Sequence, residues 1–212
     1  MRLKLEAKYG TKGFGSRRKC YLAVFRSFDT GLGSIWRASR VFEIRCLGEN
    51  RTSLSERFAL HAFEDAIDFV IKWNKLKLNI YATVNPIDQK SEGPAKDEHI
   101  LRAHFSFADA DDLVGLNGLK KINAHCAPDI FVTTGTNPHE RRHAYWRLKE
   151  PCFDLLEWKQ TQSKLAYALG TDRSIVNPSR IMRVAGTVSY PNAAKKLKGY
   201  EPELTTMSLG KV

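Results

Sequence analysis

The stretch from Leu101 to Asp111 constrains this chain most, because an alternating apolar register there runs straight into carboxylates. Ala103, Phe105 and Phe107 share one parity and Arg102, His104 and Ser106 the other, the period-two pattern of a β-strand. Asp109 and Asp111 keep the parity of the phenylalanines, so the face that buries aromatics also carries two acids. Buried carboxylates are costly unless hydrogen bonds or cations neutralise them. Two acids two residues apart on a strand project side by side, and hard oxygen ligands of this kind suit Mg²⁺ or Mn²⁺ bridging to phosphates. Such a pair can support two-metal phosphoryl transfer. An isolated Asp109-Ala110-Asp111-Asp112 is also what an acidic strand end or a helix cap looks like, so the pattern needs support from elsewhere in the chain.

The chain has 212 residues, enough for one generous domain or two small ones. No apolar run has the length of a membrane span, and the first residues, Met1 to Glu6, lack the apolar stretch of a signal peptide, so a cytoplasmic location without membrane contact is expected. Cys20, Cys46, Cys126 and Cys152 form no CxxC pair and read as reduced thiols. Lys and Arg number 34 against 23 Asp and Glu, and the formal charge of +11 favours a polyanionic partner, nucleic acid above all.

Strands are expected at Cys20 to Phe28 and Arg40 to Cys46, with Gly31 and Gly33 between them, and at Leu78 to Val84, halted by Asn85-Pro86. Ser53 with Glu56 has capping-box spacing and predicts a helix carrying Ala59, Ala62, Phe63, Ala66, Ile67, Val70 and Ile71 on its apolar side. Gln89 to Asp97 reads as an exposed loop. Ile130 to Thr134 reads as a strand ending at Gly135, and Asp154 with Glu157 opens a helix that Gly170 closes. Strands and helices interleave without a strict βαβ rhythm, which predicts an α+β fold on a mostly antiparallel or mixed sheet flanked by helices. The expected division is an N-terminal β-rich segment, 1–52, of unassigned role packed on a catalytic domain, 53–205.

Thr133 to Leu148 reads as a hairpin. Ala144, Trp146 and Leu148 are expected to face the core, leaving His143, Tyr145 and Arg147 on the opposite face, where imidazole and guanidinium could grip a triphosphate. His139-Glu140-Arg141-Arg142-His143 also matches the HExxH pattern of zinc peptidases. Gly135, Asn137 and Pro138 argue against that reading, since a zincin helix is already under way before its first histidine. Further on, Asp172 is a candidate third carboxylate and Arg183 a bidentate phosphate ligand, Gly186 permits close backbone approach, and Lys195, Lys196 and Lys198 supply a phosphate-tracking edge. Each also has a plain structural reading: a helix-end acid, a surface arginine and a tight turn.

In this order the three segments resemble the archaeo-eukaryotic primase superfamily, in its plasmid and phage primase-polymerase branch with the RepB-like primase domain. Asp109-Ala110-Asp111 looks like the family's first metal motif, Thr134 to Leu148 like its histidine motif, and Ile181-Met182-Arg183-Val184-Ala185-Gly186-Thr187 like its arginine-glycine-threonine signature. The resemblance implies a nucleotidyltransferase that makes or extends primers on a single-stranded DNA template from nucleoside triphosphates with Mg²⁺ or Mn²⁺, and a replicative helicase or accessory domain as a further partner. It implies Asp109, Asp111 and Asp172 as metal ligands, His143 or His139 on the incoming phosphates, and Arg183 in phosphate binding. A catalytically silent DNA-binding replication-initiation module is the competing reading. The chain ends soon after the last motif, consistent with either a fragment or a compact stand-alone form.

Overall fold

Residues 41–49 and 52–210 are described by the structure, a computed structural model; the strand expected at Cys20 to Phe28 lies outside them. Strand β1 (Val41–Leu47) and β2 (Ser53–Ala59) form a hairpin in full antiparallel register, from Val41 opposite Ala59 to Leu47 opposite Ser53. Ser53 and Glu56 therefore belong to a strand, not to a helix cap. Seven consecutive cross-strand pairings outweigh a local capping signal, and Leu54 and Phe58, on one strand face, pack into the core. Helix α1 (Phe63–Lys75) starts only after a single 3₁₀ turn and buries Ala66, Ile67 and Val70 against β1 and β3 (Asn79–Thr83). β1 also pairs with β3, and β3 with β7 (Ile181–Arg183), giving a first sheet in the order β2-β1-β3-β7. The expected boundary at 52/53 thus falls inside the β1–β2 hairpin.

The second sheet has the order β10-β5-β6-β4 and is antiparallel throughout. It contains β4 (Ala103–Ala110), β5 (Ile130–Gly135), β6 (Arg141–Cys152) and β10 (Thr206–Leu209), the last lying beyond the expected domain end at 205. One face carries Phe105, Phe107, Val132 and Tyr145 into a cluster shared with Met182 of the first sheet, so the phenylalanine parity read from sequence is the parity of the central core. Each fully buried phenylalanine contributes roughly 1.5–3 kcal/mol. The other face is covered as well: Ala108, Ala110, Ala144 and Trp146 pack on α2 (Leu113–Asn123) and α3 (Leu155–Leu169). His104 and Ser106 are buried for the same reason, whereas Tyr145, expected opposite the core, is buried within it on the phenylalanine face. Leu148 packs with the Phe105 cluster rather than with Ala144 and Trp146, because the register of β6 against β4 slips between Arg147 and Cys152.

Strand β4 has a sheet neighbour on one side only, yet its other edge is not bare. Trp158 Nε1 donates to the Phe105 carbonyl (3.1 Å), Gln162 Oε1 accepts from the Phe107 N–H (3.3 Å) while its amide donates to the Phe107 carbonyl, and the Asp172 N–H donates to the Asp109 carbonyl (3.1 Å). Helix α3 thus acts as a surrogate neighbour strand for the segment that leads to the acids. Asp154 caps α3 as expected, accepting from Leu156 N and Glu157 N, and Gly170 ends it in the left-handed region at φ 64°. A two-stranded sheet, β8 (Val188–Ser189) with β9 (Glu203–Leu204), and the short helix α4 (Ala193–Lys196) complete the fold. Among the described residues no helix is long and apolar enough to cross a membrane, and Cys46, Cys126 and Cys152 are free thiols.

Candidate active site

The two sheets meet around a cleft of about 750 Å³ whose lining includes Asp109 and Asp111 at the end of β4, His143 on β6, Arg183 on β7 and Lys195 on α4. Residues read from three separate segments therefore converge on one cavity. Asp109 is one strand pairing from His143, which puts the His143 Nε2 atom 3.6 Å from Asp109 Oδ1. Asp111 lies just beyond the strand, and Asp112 leaves the cluster to cap α2, its carboxylate accepting from Gly115 N at 2.8 Å. Of the three acids in this stretch, two line the cleft and one serves the helix.

Asp109 is under electrostatic strain. Its Oδ1 is buried, and among the described residues no hydrogen-bond partner reaches it. Burial first, then the negative charges of Asp111 and Asp172, push its pKa upward, opposed by Lys195 and Arg183. An orphaned buried carboxylate beside a second one has the donor set a hard divalent cation takes, so Asp109 and Asp111 fit such an ion. Among the described residues there is no group of three or more His, Cys, Asp or Glu side chains gathered around one point.

His143 is buried and its pKa is lowered to about 3, by burial first and by Arg183 second. The ring is therefore neutral near pH 7, and it can meet a phosphate as an N–H donor rather than as a cation. Its Nδ1 is 3.3 Å from the Tyr145 hydroxyl. Donation from that hydroxyl leaves the ring proton on Nε2, the nitrogen nearer Asp109.

Arg183 is aimed by two side chains of β3: Nη1 donates to Asn79 Oδ1 (2.7 Å), Nη2 to the Tyr81 hydroxyl (2.8 Å), and the guanidinium lies 4.7 Å from the Tyr81 ring centre. Asn79 is itself clamped, exchanging both hydrogen bonds with the Tyr190 backbone at 2.8 and 2.9 Å. Neither Asn79 nor Tyr81 belongs to a motif, so only the pairing of β3 with β7 reveals them. Arg141 and Tyr200 also line the cleft, at positions to which the sequence motifs assign no role.

Other expected site residues sit differently. Asp172 is exposed and outside the cleft lining; its backbone contacts β4, while its Oδ1 accepts from Ser174 N at 2.8 Å, so its effect on Asp109 is through charge. Arg147 is also outside the cleft, its guanidinium over the Phe105 ring at 5.9 Å and its N–H donating to Asp129 Oδ2 at 2.7 Å. His139 directs Nε2 to the Asp111 carbonyl, 2.7 Å away. Lys195 lines the cleft with its Nζ 5.4 Å from the Tyr200 ring centre and acts on Asp109 through charge, Lys196 pairs with Glu49 at 3.7 Å, and Lys198 does not line the cleft, so the three lysines do not form one free edge. The HExxH reading fails on geometry: Arg141 and His143 are in a strand and His139 precedes it, so no helical turn sets the two imidazoles on one face.

The sequence matches no protein-family model and no curated protein. Its structure is similar to that of the AEP domain of the cyanophage S-2L primase-polymerase, with a TM-score of 0.58 and 20% identity over 93% of this chain and 90% of that one. It is also similar to the primase RepB′, with a TM-score of 0.59 and 12% identity, spanning 87% of this chain but 56% of that longer one. The catalytic domain of RepB′ in complex with initiator DNA gives a TM-score of 0.55 at 15% identity, over 85% of this chain and 83% of the other. With two antiparallel sheets joined around the acidic cleft, the chain has the fold of the archaeo-eukaryotic primase catalytic core.

Proposed function

We propose that the protein is a template-directed nucleotidyltransferase, a primase-polymerase that makes or extends primers from nucleoside triphosphates. The observation that carries this reading is the buried, unpartnered Oδ1 of Asp109, set in the cleft beside Asp111, His143, Arg183 and Lys195. A purely structural carboxylate would have its hydrogen bonds satisfied.

In this reading Asp109 and Asp111 hold Mg²⁺ or Mn²⁺, with Asp172 adding negative charge from outside the cleft. When bound, such ions offset phosphate charge and favour an ionised attacking hydroxyl. Arg183, held in a fixed orientation by Asn79 and Tyr81, and Lys195 contribute phosphate binding, and the neutral His143 donates a hydrogen bond to a phosphate oxygen. The orientation of these donors is set before substrate arrives, which is how positioning lowers a phosphoryl-transfer barrier. The excess of basic residues supports a single-stranded DNA template held through its backbone, as does the likeness to a catalytic domain solved with initiator DNA.

The test is incorporation of labelled nucleotides on single-stranded templates with Mg²⁺ or Mn²⁺. Asp109→Ala and Asp111→Ala should each reduce synthesis by at least about 100-fold while circular dichroism and DNA binding stay near wild type. Synthesis at the wild-type level by either variant rejects the assignment. DNA binding by the wild type with no incorporation under any condition favours the silent initiation module instead.

A further inference from the structure

Glu203 has no place in the nucleotide site, yet its carboxylate is the most heavily used acceptor near it. Oε1 accepts from Thr136 N (2.7 Å) and Thr136 Oγ1 (2.5 Å); Oε2 accepts from Asn137 N (3.2 Å) and Arg141 Nη2 (3.1 Å). These hydrogen bonds and the Arg141 charge outweigh the effect of burial and lower the Glu203 pKa, so the side chain is an anion at neutral pH. Arg141 in turn donates through Nη1 to the carbonyls of Asn137 (2.5 Å) and His139 (3.1 Å), and its guanidinium stacks 4.4 Å from the Tyr200 ring centre. Both ends of the 136–139 turn are thereby tied to one ion pair. Residue 135 must be glycine for this to work, because a Cβ there would overlap the Arg141 guanidinium and the Glu203 carboxylate.

The His139 ring leads out of the turn in two directions, edge-on to the Tyr200 ring at 6.1 Å and, through Nε2, to the backbone of Asp111. His139 at its end contacts the carbonyl of Asp111, and Asp111 lies beyond the last residue of β4, where no strand pairing holds its backbone. We infer that Glu203 is a positioning residue: through Arg141 and the 136–139 turn it fixes His139, and through His139 it fixes the backbone that carries the Asp111 carboxylate. His139 is thus a prop behind the acid pair, and His143 the imidazole within the cleft. The inference rests on the reading of Asp109 and Asp111 as metal ligands for its effect on metal affinity, but not for its effect on the backbone.

Two measurements separate these. Amide hydrogen exchange on the metal-free protein should show Glu203→Gln raising exchange in the 136–140 turn and at 111–112 together, with β1 to β3 unchanged. His139→Ala should raise exchange at 111–112 alone. Mn²⁺ titration followed by electron paramagnetic resonance should show each variant binding roughly 10-fold more weakly, and the double variant no more weakly than either single one. Should Glu203→Gln fail to fold, Thr136→Val, which deletes one donor to Oε1, replaces it in both experiments with the same pattern expected at smaller size. Unchanged exchange at 111–112, or losses that multiply in the double variant, overturn the inference. Coupled exchange without Mn²⁺ binding by the wild type leaves the positioning role standing and sinks the metal reading.

Discussion

The carboxylate of Asp109 and the imidazole of His143 face each other across one β4–β6 pairing, 3.6 Å apart, and burial holds both toward their uncharged forms. The pair has no ion-pair character of its own. Lys195 and Arg183 are the positive charges that act on Asp109, against the negative charges of Asp111 and Asp172.

Neutralising Asp109 should therefore stabilise the metal-free protein. Asp109→Asn replaces a carboxyl whose ionisation is opposed by burial, Asp111 and Asp172 with a neutral amide, and is expected to raise stability by about 1–3 kcal/mol while abolishing nucleotide incorporation. Chemical denaturation with a chelator present measures the first effect. A lower midpoint than wild type would mean that the carboxylate is satisfied in the folded state.

Arg183→Lys keeps the charge and loses the two-pronged grip of Asn79 and Tyr81. The loss of one oriented charge-assisted hydrogen bond to a phosphate, about 1.5 kcal/mol, corresponds to a roughly tenfold higher KM for nucleotide, with a smaller change in kcat. Steady-state incorporation at varied nucleotide concentration is the measurement. An unchanged KM would remove Arg183 from the phosphate site.

Acid should weaken the fold through His104. This side chain is buried, its Nε2 accepts from Arg102 Nε at 3.0 Å, and burial first, then the Arg102 charge, lower its pKa from 6.5 to about 4. The unfolded chain takes up a proton below pH 6.5 that the folded protein refuses until about pH 4, so stability is complete above that window and is lost as pH falls through it. His104→Gln, which keeps an acceptor for Arg102, should remove about 2 kcal/mol of that pH dependence, read from urea midpoints between pH 7 and 4. An identical pH profile in wild type and variant counts against it.

Gln162 is fully buried and completes the edge of β4 at Phe107. Gln162→Leu preserves volume but strands the Phe107 N–H and carbonyl, and should cost about 3 kcal/mol. The same variant should reduce catalysis beyond its effect on folding, because the strand it supports ends in Asp109. Full activity in the folded fraction would uncouple the two.

Much of this was legible in the residues. The alternation from Ala103 to Phe107 sets the core parity of β4, and the positions of Asp109, His143 and Arg183 in one cleft follow from strand ends that sequence motifs mark. What escaped is what depends on partners far away in the chain. Ser53 and Glu56 look like a cap because the competing pairing with β1 is not visible locally. Asp172 reads as a ligand because an acid near a motif does not declare whether its backbone or its carboxylate meets the strand; here the backbone does. Asn79, Tyr81 and Glu203 carry no local signal at all, since each acts on a residue about 60 to 100 positions away.

The edging of β4 by Trp158, Gln162 and the Asp172 backbone also governs how copies of the protein can associate. A strand with open carbonyls and N–H groups invites a neighbour's strand to zip onto it, and crowding several copies on one polyanion would favour that event. With the carbonyls of Phe105, Phe107 and Asp109 and the N–H of Phe107 taken up internally, the margin nearest the acids offers less for another chain to join. An edge closed in this way disfavours strand-to-strand aggregation at the acidic end of the molecule.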